Sequence, residues 1–325
     1  MRIIQLKNSF FISMKKIVVS LIVLIIIVFS CAYYIIPAQL IVSNVIKVPV
    51  NIDGAFRELS IKKNWEKWWP ETNVENNSKK LSYNGYKFTV QNILYNALII
   101  GIKKNNTTDS SFLQFLPVGK DSVQIAWTTN VSTGANPFSR ISSYFHAIST
   151  KKNTGTILTL MAAYLKPSIN LYGIDIRKEK VAIEFMITTS KKLSHYPTNE
   201  DVYAIINELQ QYITSKNGKT ESSPMLNIVA IDSLNYKAQV AIPVKNKIPE
   251  NEKFKLKAMF KGGNILVANI KGGKNTIDES IKNFDRYMND YQKTMMAMPF
   301  QLLLTDRIKQ TDSTKWITQL YYPVN

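Results

Sequence analysis

The chain has 325 residues, 45% hydrophobic and 11% aromatic, with 12 Gly and 12 Pro; it can bury the cores of two domains and is neither disordered nor collagenous. One cysteine, Cys31, excludes an intramolecular disulfide and a thiolate zinc site, and His146 and His195, 49 residues apart with no acidic cluster beside either, offer little for a histidine metal site or a Ser-His-Asp arrangement. The net charge of +18 is spread as +4 over residues 1–16, +8 over 38–168 and +6 over 169–325, without a helix-turn-helix, RNP or zinc-finger pattern, so it reads as a solvated basic surface near anionic lipid and not as a nucleic-acid site.

Residues 17–36, IVVSLIVLIIIVFSCAYYII, carry no charge over about 20 positions, the length of a transmembrane helix. Arg2, Lys7, Lys15 and Lys16 precede the run and Lys47 is the first cation after it. The positive-inside rule therefore places residues 1–16 in the cytoplasm and the remainder outside a bacterial inner membrane, with Tyr33 and Tyr34 at the outer interface and Pro37 ending the helix. A cleaved signal peptide would have a shorter apolar region and a small-x-small exit. Val28-Phe29-Ser30-Cys31 also resembles a bacterial lipobox, which makes a lipoprotein anchored through Cys31 the alternative, although apolar residues continue past it.

A strand-like run from Val45 leads to Asp53-Gly54 and a helical pattern carrying Phe56, Leu59, Trp65, Trp68 and Trp69. The stretch ETNVENNSKK reads as a polar turn. The runs Leu81–Val90, Leu94–Ile102, Ser111–Pro117 and Ser122–Thr129, separated by turn signals that include Asn-Gly, Asn-Asn-Thr-Thr-Asp and Gly-Lys-Asp, read as an antiparallel meander, and a helix is expected over Thr154–Lys166, before Pro167. With VPVNIDGAFRELSIKKNWEKWWP at the start and WTTNVSTGANPFSR before the last helix, residues 44–168 resemble the START-like or polyketide-cyclase (SRPBCC) superfamily. The resemblance implies a curved sheet gripping a long helix with a cavity between them. The amphipathic spacing of the tryptophans alone assigns them to helix-to-sheet packing.

After a connector, SINLYGIDIRKEK, a second composition is internally repeated: strand VAIEFMITT, helix Thr198–Asn217 and strands Met225–Ile231 and Tyr236–Val244, then strand Asn264–Ile270, helix Thr276–Lys293 and strands Pro299–Leu304 and Trp316–Val324. Both helices open with a capping-box pattern, Thr198-x-x-Asp201 and Thr276-x-x-Glu279. YKAQVAIPV and WITQLYYPV align at an offset of 80, matching Gln239 to Gln319. The duplication and the terminal motif resemble the GyrI-like effector-binding domain over 180–325, which implies a shared sheet with a cleft for small, often aromatic or cationic, molecules. The expected architecture is α+β: residues 1–16 cytoplasmic, 17–36 transmembrane, 40–168 a helix-grip antiparallel domain, 169–179 a connector and 180–325 a duplicated strand-helix-strand-strand domain.

Strand alternation puts Trp316, Thr318, Leu320 and Tyr322 toward the helices and Ile317, Gln319 and Tyr321 toward the cleft. The duplication sets Gln239 opposite Gln319 across a pseudo-twofold axis. The expected ligand-binding residues are Gln319, Tyr321, Gln239 and Ile317, with no catalytic, metal or cofactor residue. Many effector-binding domains carry Glu at the position of Gln319; Gln does not ionise, which removes a general base and a cation partner. A solvated place for both glutamines on an exposed sheet face is the other reading. The Gly262-Gly263 and Gly272-Gly273 doublets match no phosphate-loop pattern and read as turns. The expected role is a membrane-tethered, non-catalytic binding protein for small hydrophobic or aromatic molecules. The alternatives are a cyclase or hydrolase working in the START-like cavity, and an envelope interaction module.

Overall fold

The computed structural model describes residues 2–75, 78–105 and 107–325, so Asn76-Asn77 and Asn106 of the expected turns lie outside the described residues, as do the side chains of Arg2, Lys7 and Lys15. The architecture is α+β, with one long apolar N-terminal helix and two antiparallel sheets in two compact units, residues 1–166 and 167–325.

The first unit opens with helix α1, Arg2–Ile35, whose segment Lys16–Ile35 is long and apolar enough to cross a membrane. Strand β1 (Gln39–Val48) follows, then α2 (Ile52–Ser60), capped by the Asn51 side chain accepting from Asp53 N. The single helical pattern expected around the tryptophans is split at Ile61: α2 stops there and a 3-10 turn, Lys62–Lys67, carries Trp65. Strands β2 (Glu71–Glu75), β3 (Ser78–Tyr83), β4 (Tyr86–Ile93), β5 (Ala97–Lys104), β6 (Thr107–Pro117) and β7 (Val123–Ser132) complete a sheet of order β1-β7-β6-β5-β4-β3-β2. The stretch read as a polar turn is instead two strands, β2 and the start of β3, pairing Glu71 with Ser82 and Glu75 with Ser78.

Helix α3 runs from Pro137 to Leu165, 29 residues, and so begins 17 residues before the expected Thr154. The Asn136 side chain accepts from Ser139 N at 2.8 Å and Pro137 occupies the first turn, a strong start that the Ser- and Thr-rich sequence after it conceals. Alternate residues of β7 (Ile125, Trp127, Thr129, Val131) are buried on the face toward α3, with Leu113 and Phe115 of β6 beside them.

The second unit contains α4 (Ser168–Tyr172), β8 (Arg177–Lys180), β9 (Phe185–Leu193), α5 (Asn199–Ser215), β10 (Met225–Ala230), β11 (Tyr236–Val244), β12 (Lys255–Ala258), β13 (Asn264–Lys271), α6 (Lys274–Asp290), β14 (Phe300–Leu303) and β15 (Ile317–Val324). Its sheet has the order β12-β9-β11-β10-β14-β15-β13-β8. The repeats β9-α5-β10-β11 and β13-α6-β14-β15 meet where β10 pairs with β14, Met225 opposite Leu302. The connector is thus structured, since α4 and β8 occupy it. Thr198 and Asp201 form the expected capping box of α5, whereas α6 starts two residues before the expected Thr276, on Gly273, without a side-chain cap.

Candidate functional site

The helices take one face of the second sheet. Ile187, Leu226, Ala238, Val240 and Ile242 pack with Val202, Ile206 and Leu209 of α5, and on β15 Tyr322 stacks on Phe284 of α6 at 4.0 Å. Thr318 and Leu320 are buried on that same side. Because side chains alternate along each strand, Met186, Thr188, Met225, Asn227, Gln239 and Ala241 project from the opposite face. There they line a cleft of about 630 Å³, within the usual range for small-molecule sites. Lys257 and Ala258 of edge strand β12, with Met259 and Phe260 after it, form one wall, and Met296 to Pro299 with Phe300, the first residue of β14, form another.

Five of the chain's ten methionines line this cleft: Met186, Met225, Met259, Met296 and Met298. Methionine is flexible and polarisable and adapts to flat or irregular apolar partners. The neutral polar side chains are Thr188, Asn227, Gln239, Asn264 and Asn325; among the described residues Lys257 supplies the one side-chain ammonium, and no Asp or Glu side chain lines the space. Asn227 donates from Nδ2 to the Pro299 carbonyl at 2.7 Å, fixing the neighbouring wall, while its Oδ1 is shielded without a partner. Phe260 and Met296 stand largely exposed at the rim.

The residues expected to form the site are distributed over this face. Gln239 lines the cleft, aligned with Asn227 on β10. Gln319 is aligned with Leu302 on β14, and Met225 and Ala241 continue that row. The two glutamines therefore do not meet across the repeat: β10 and β14 lie between their strands, three spacings or about 14 Å across the sheet, and their rows are two residues apart. The Tyr321 ring stacks on Phe300 at 5.0 Å and 6°, and its hydroxyl donates to Gln319 Oε1 at 2.6 Å. Burial raises the Tyr321 phenol above its ordinary pKa, Glu179 adding to the shift and Arg177 opposing it. Ile317 lies further along β15, exposed, opposite Lys271.

On the helix-covered face a smaller cavity, about 370 Å³, lies beside the first turns of α5 and α6. Its cations are engaged, Lys274 with Asp278 and Arg307 through Nη2 with Thr318 Oγ1 at 2.8 Å, over the Trp316 ring.

In the first unit the interior holds a cluster of aromatic rings. Trp65, Trp68 and Trp69 are buried with ring centroids 5.2 to 5.7 Å apart; Trp69 meets Phe88 at 5.1 Å and Trp68 meets Tyr164 at 6.3 Å. Trp65 Nε1 donates to Leu59 O and Trp69 Nε1 to Ser82 O, at 2.6 and 2.8 Å. Buried Glu58 accepts from the Tyr164 hydroxyl at 2.6 Å and from Lys67 at 3.3 Å.

Sequence reasoning leaves His146 without a partner, but the fold supplies two: Asp109 Oδ2 at 2.6 Å from Nε2 and the Tyr86 hydroxyl at 3.2 Å from Nδ1, with Lys104 donating to that hydroxyl at 3.2 Å. His195 likewise pairs with Asp201 at 2.9 Å. Asp109 is 37 residues from His146 on another element, so no local spacing announces the pair. Chemically the chain Lys104, Tyr86, His146, Asp109 runs from donor to acceptor and ties α3 to β4, β5 and β6.

No protein-family model matches the chain, and no curated protein matches it. Among solved structures it is similar to the EcmrR C-terminal domain (9% identity, 47% of this chain and 98% of that chain, TM-score 0.41) and to a hydrolase from Listeria innocua (12%, 46% and 92%, 0.35). It is also similar to the di-domain ARO/CYC BexL from the BE-7585A biosynthetic pathway (11%, 88% and 85%, 0.32). At these identities and scores the likenesses assign no function.

Proposed function

We propose that this chain is a membrane-tethered, non-catalytic binding protein that takes a small, neutral, apolar or aromatic molecule into the cleft of its C-terminal unit. The observation that carries the reading is the lining itself: five methionines and Phe300 around neutral amide and hydroxyl groups, without an acidic side chain to hold a cation or act as a base. Gln239 orients the ligand from the sheet. Gln319 and Tyr321 support Phe300 from behind, with Ile317 at the outer end of that strand. The duplicated topology and the motif ending at Val324 agree with a GyrI-like domain, and the order of the first sheet around a long α3 agrees with a START-like helix grip. The tryptophan-filled interior of that first unit favours the C-terminal cleft as the ligand's place.

In this reading α1 is the anchor, with the cations before residue 17 inside and both units on the outer side of a bacterial inner membrane. Cys31 lies within continuous helix Arg2–Ile35, which favours an uncleaved span over lipidation.

The test is titration of the full chain in detergent with the neutral dye Nile red and the cationic dye rhodamine 6G. Saturable binding of Nile red is expected, weakened about 5- to 10-fold by Gln239→Leu through loss of one buried hydrogen bond. Gln239→Glu is expected to move the preference toward rhodamine 6G by adding a charge to a partly desolvated site. Absence of saturable Nile red binding, or identical affinities in all three proteins, overturns the assignment.

A further inference from the structure

The first half of α3 leaves its outward face bare. Phe138, Phe145 and Ile148 are 68%, 64% and 50% exposed, and at spacings of seven and three residues they share one side of the helix, with half-buried Ile141 between them. The opposite side, through Ala147, Thr150 and Thr154, is buried against the sheet. An apolar stripe of this kind on a chain with a net charge of +18 needs a partner.

The partner is indicated by what the start of α3 touches. The Phe138 ring lies 4.1 Å from the ring of Phe29 in α1. Arg140 donates through Nη1 to the carbonyls of Tyr33 and Ile36, at 2.5 and 2.8 Å, and its guanidinium sits 4.0 Å above the Tyr33 ring, so α3 is fastened to the end of α1. Phe29 precedes Ile35 by six residues, about 9 Å along a helix. If Lys16–Ile35 spans the hydrocarbon, a ring 4.1 Å from Phe29 stands several ångströms inside its outer edge. Tyr33 and Tyr34 sit at the same boundary, where aromatic residues collect. Beyond Ile148 come Lys151 and Lys152, both exposed, about 20 Å from Phe138 along the helix, and they suit anionic headgroups.

We propose that the N-terminal half of α3 is a second membrane contact: Phe138 enters the outer leaflet beside α1, and Phe145 and Ile148 rest on a surface of anionic lipid. This rests on the reading of α1 as a membrane span. Two attachments on different elements hold the N-terminal unit against the bilayer, where a single flexible tether leaves it free to tumble.

The experiment uses the full chain in vesicles of phosphatidylcholine and phosphatidylglycerol, with an environment-sensitive NBD label on one cysteine at a time. The positions are native Cys31, or Phe138→Cys, Phe145→Cys or Tyr95→Cys in a Cys31→Ser background; Tyr95 is 97% exposed in the same unit. Labels at 31, 138 and 145 are expected to be quenched by doxyl-labelled lipid, and the label at 95 only by aqueous iodide. Quenching at 31 with only iodide quenching at 138 and 145 overturns the α3 contact and leaves the span intact; iodide quenching at 31 overturns both. Should a labelled variant misfold, a diazirine-bearing phosphatidylcholine on the unsubstituted chain makes the same distinction: cross-links within residues 137–148 support the contact, and cross-links confined to residues 16–35 overturn it.

Discussion

Both units set an antiparallel sheet against helices, and the second also carries a cleft on the face of its sheet away from them. In the N-terminal unit the space between sheet and helices is taken by Trp65, Trp68, Trp69, Phe88 and Trp127, at the contact distances of a packed interior. The C-terminal unit packs its helix face with side chains, as the stacking of Phe284 on Tyr322 shows, but its other face is bordered by irregular segments at residues 259–263 and 295–299. Irregular backbone cannot lay down the dense row of side chains that a helix provides, so a cleft remains. The START-like resemblance points to a cavity in the first unit, whereas the cleft of about 630 Å³ lies in the second.

The strongest way to break this contrast is Trp65→Ala. The side chain is fully buried, and its loss is expected to destabilise the N-terminal unit by about 3–5 kcal/mol. Calorimetry of the full chain should show one transition falling while that of the C-terminal unit stays in place. A single transition that shifts as a whole would show that the two cores unfold as one.

A substitution that adds volume sharpens the comparison from the other side. Ala241 lies on the cleft floor opposite Met225, beneath the adaptable side chains of Met186 and Met259, and a phenyl ring there projects into the cleft. Ala241→Phe should lower Nile red affinity at least about tenfold, roughly 1.4 kcal/mol by the usual conversion, while changing stability by less than about 1 kcal/mol. The same change at Ala55, fully buried in α2, meets a packed interior and should cost about 1–3 kcal/mol. Equal costs at both positions would mean that the cleft closes in solution.

Legibility in the sequence followed periodicity. Strand β11, Tyr236–Val244, and the capping box of α5 are local patterns and stand where those patterns place them. The first half of α3 was hidden because its Ser- and Thr-rich sequence has weak helix propensity, and beyond the Asn136 cap it is held by tertiary contacts such as His146 with Asp109. Strand β2 and the start of β3 were hidden because β2 is the edge of the sheet and the hairpin it forms with β3 is polar, as edges tolerate. Aligning the repeats placed Gln239 toward the cleft, but an alignment reveals equivalence and not adjacency, so the separation of Gln239 and Gln319 depends on strand order. The methionine lining was illegible, since Met186 to Met298 are scattered over more than 100 residues and share no period.

Alkaline pH separates the units more gently. Burial raises the phenols of Tyr196, Tyr203, Tyr321 and Tyr322 in the C-terminal unit, with Asp285 adding to the effect at Tyr322. In the N-terminal unit burial raises Tyr164, reinforced by its hydrogen bond to Glu58. A raised folded-state pKa contributes stability that is complete below the unfolded value near 10 and is lost as pH climbs beyond it toward the folded value. Both units should therefore weaken above pH 10, the C-terminal one more, in urea titrations between pH 8 and 11. A larger loss in the N-terminal unit would contradict the assignment of these buried phenols.

The smallest effect contrasts the two repeats within the C-terminal unit. Asp201 accepts from Thr198 N at 3.0 Å and from the Thr198 hydroxyl at 3.1 Å, and pairs with His195; the first of these lowers its pKa most and the histidine adds to it. Helix α6 starts on Gly273 with no such group. Asp201→Asn should cost α5 about 0.5 kcal/mol at pH 7, the lower end of the usual range because solvent screens the site. Because the folded pKa lies below the unfolded one, this contribution is present above the ordinary carboxylate value near 4 and disappears as pH falls through the folded value. The difference between the two proteins in urea midpoint should thus vanish by about pH 2. A difference that persists unchanged in acid would show that the amide at this position disturbs packing, and that the charge at the start of α5 is incidental to the repeat that carries it.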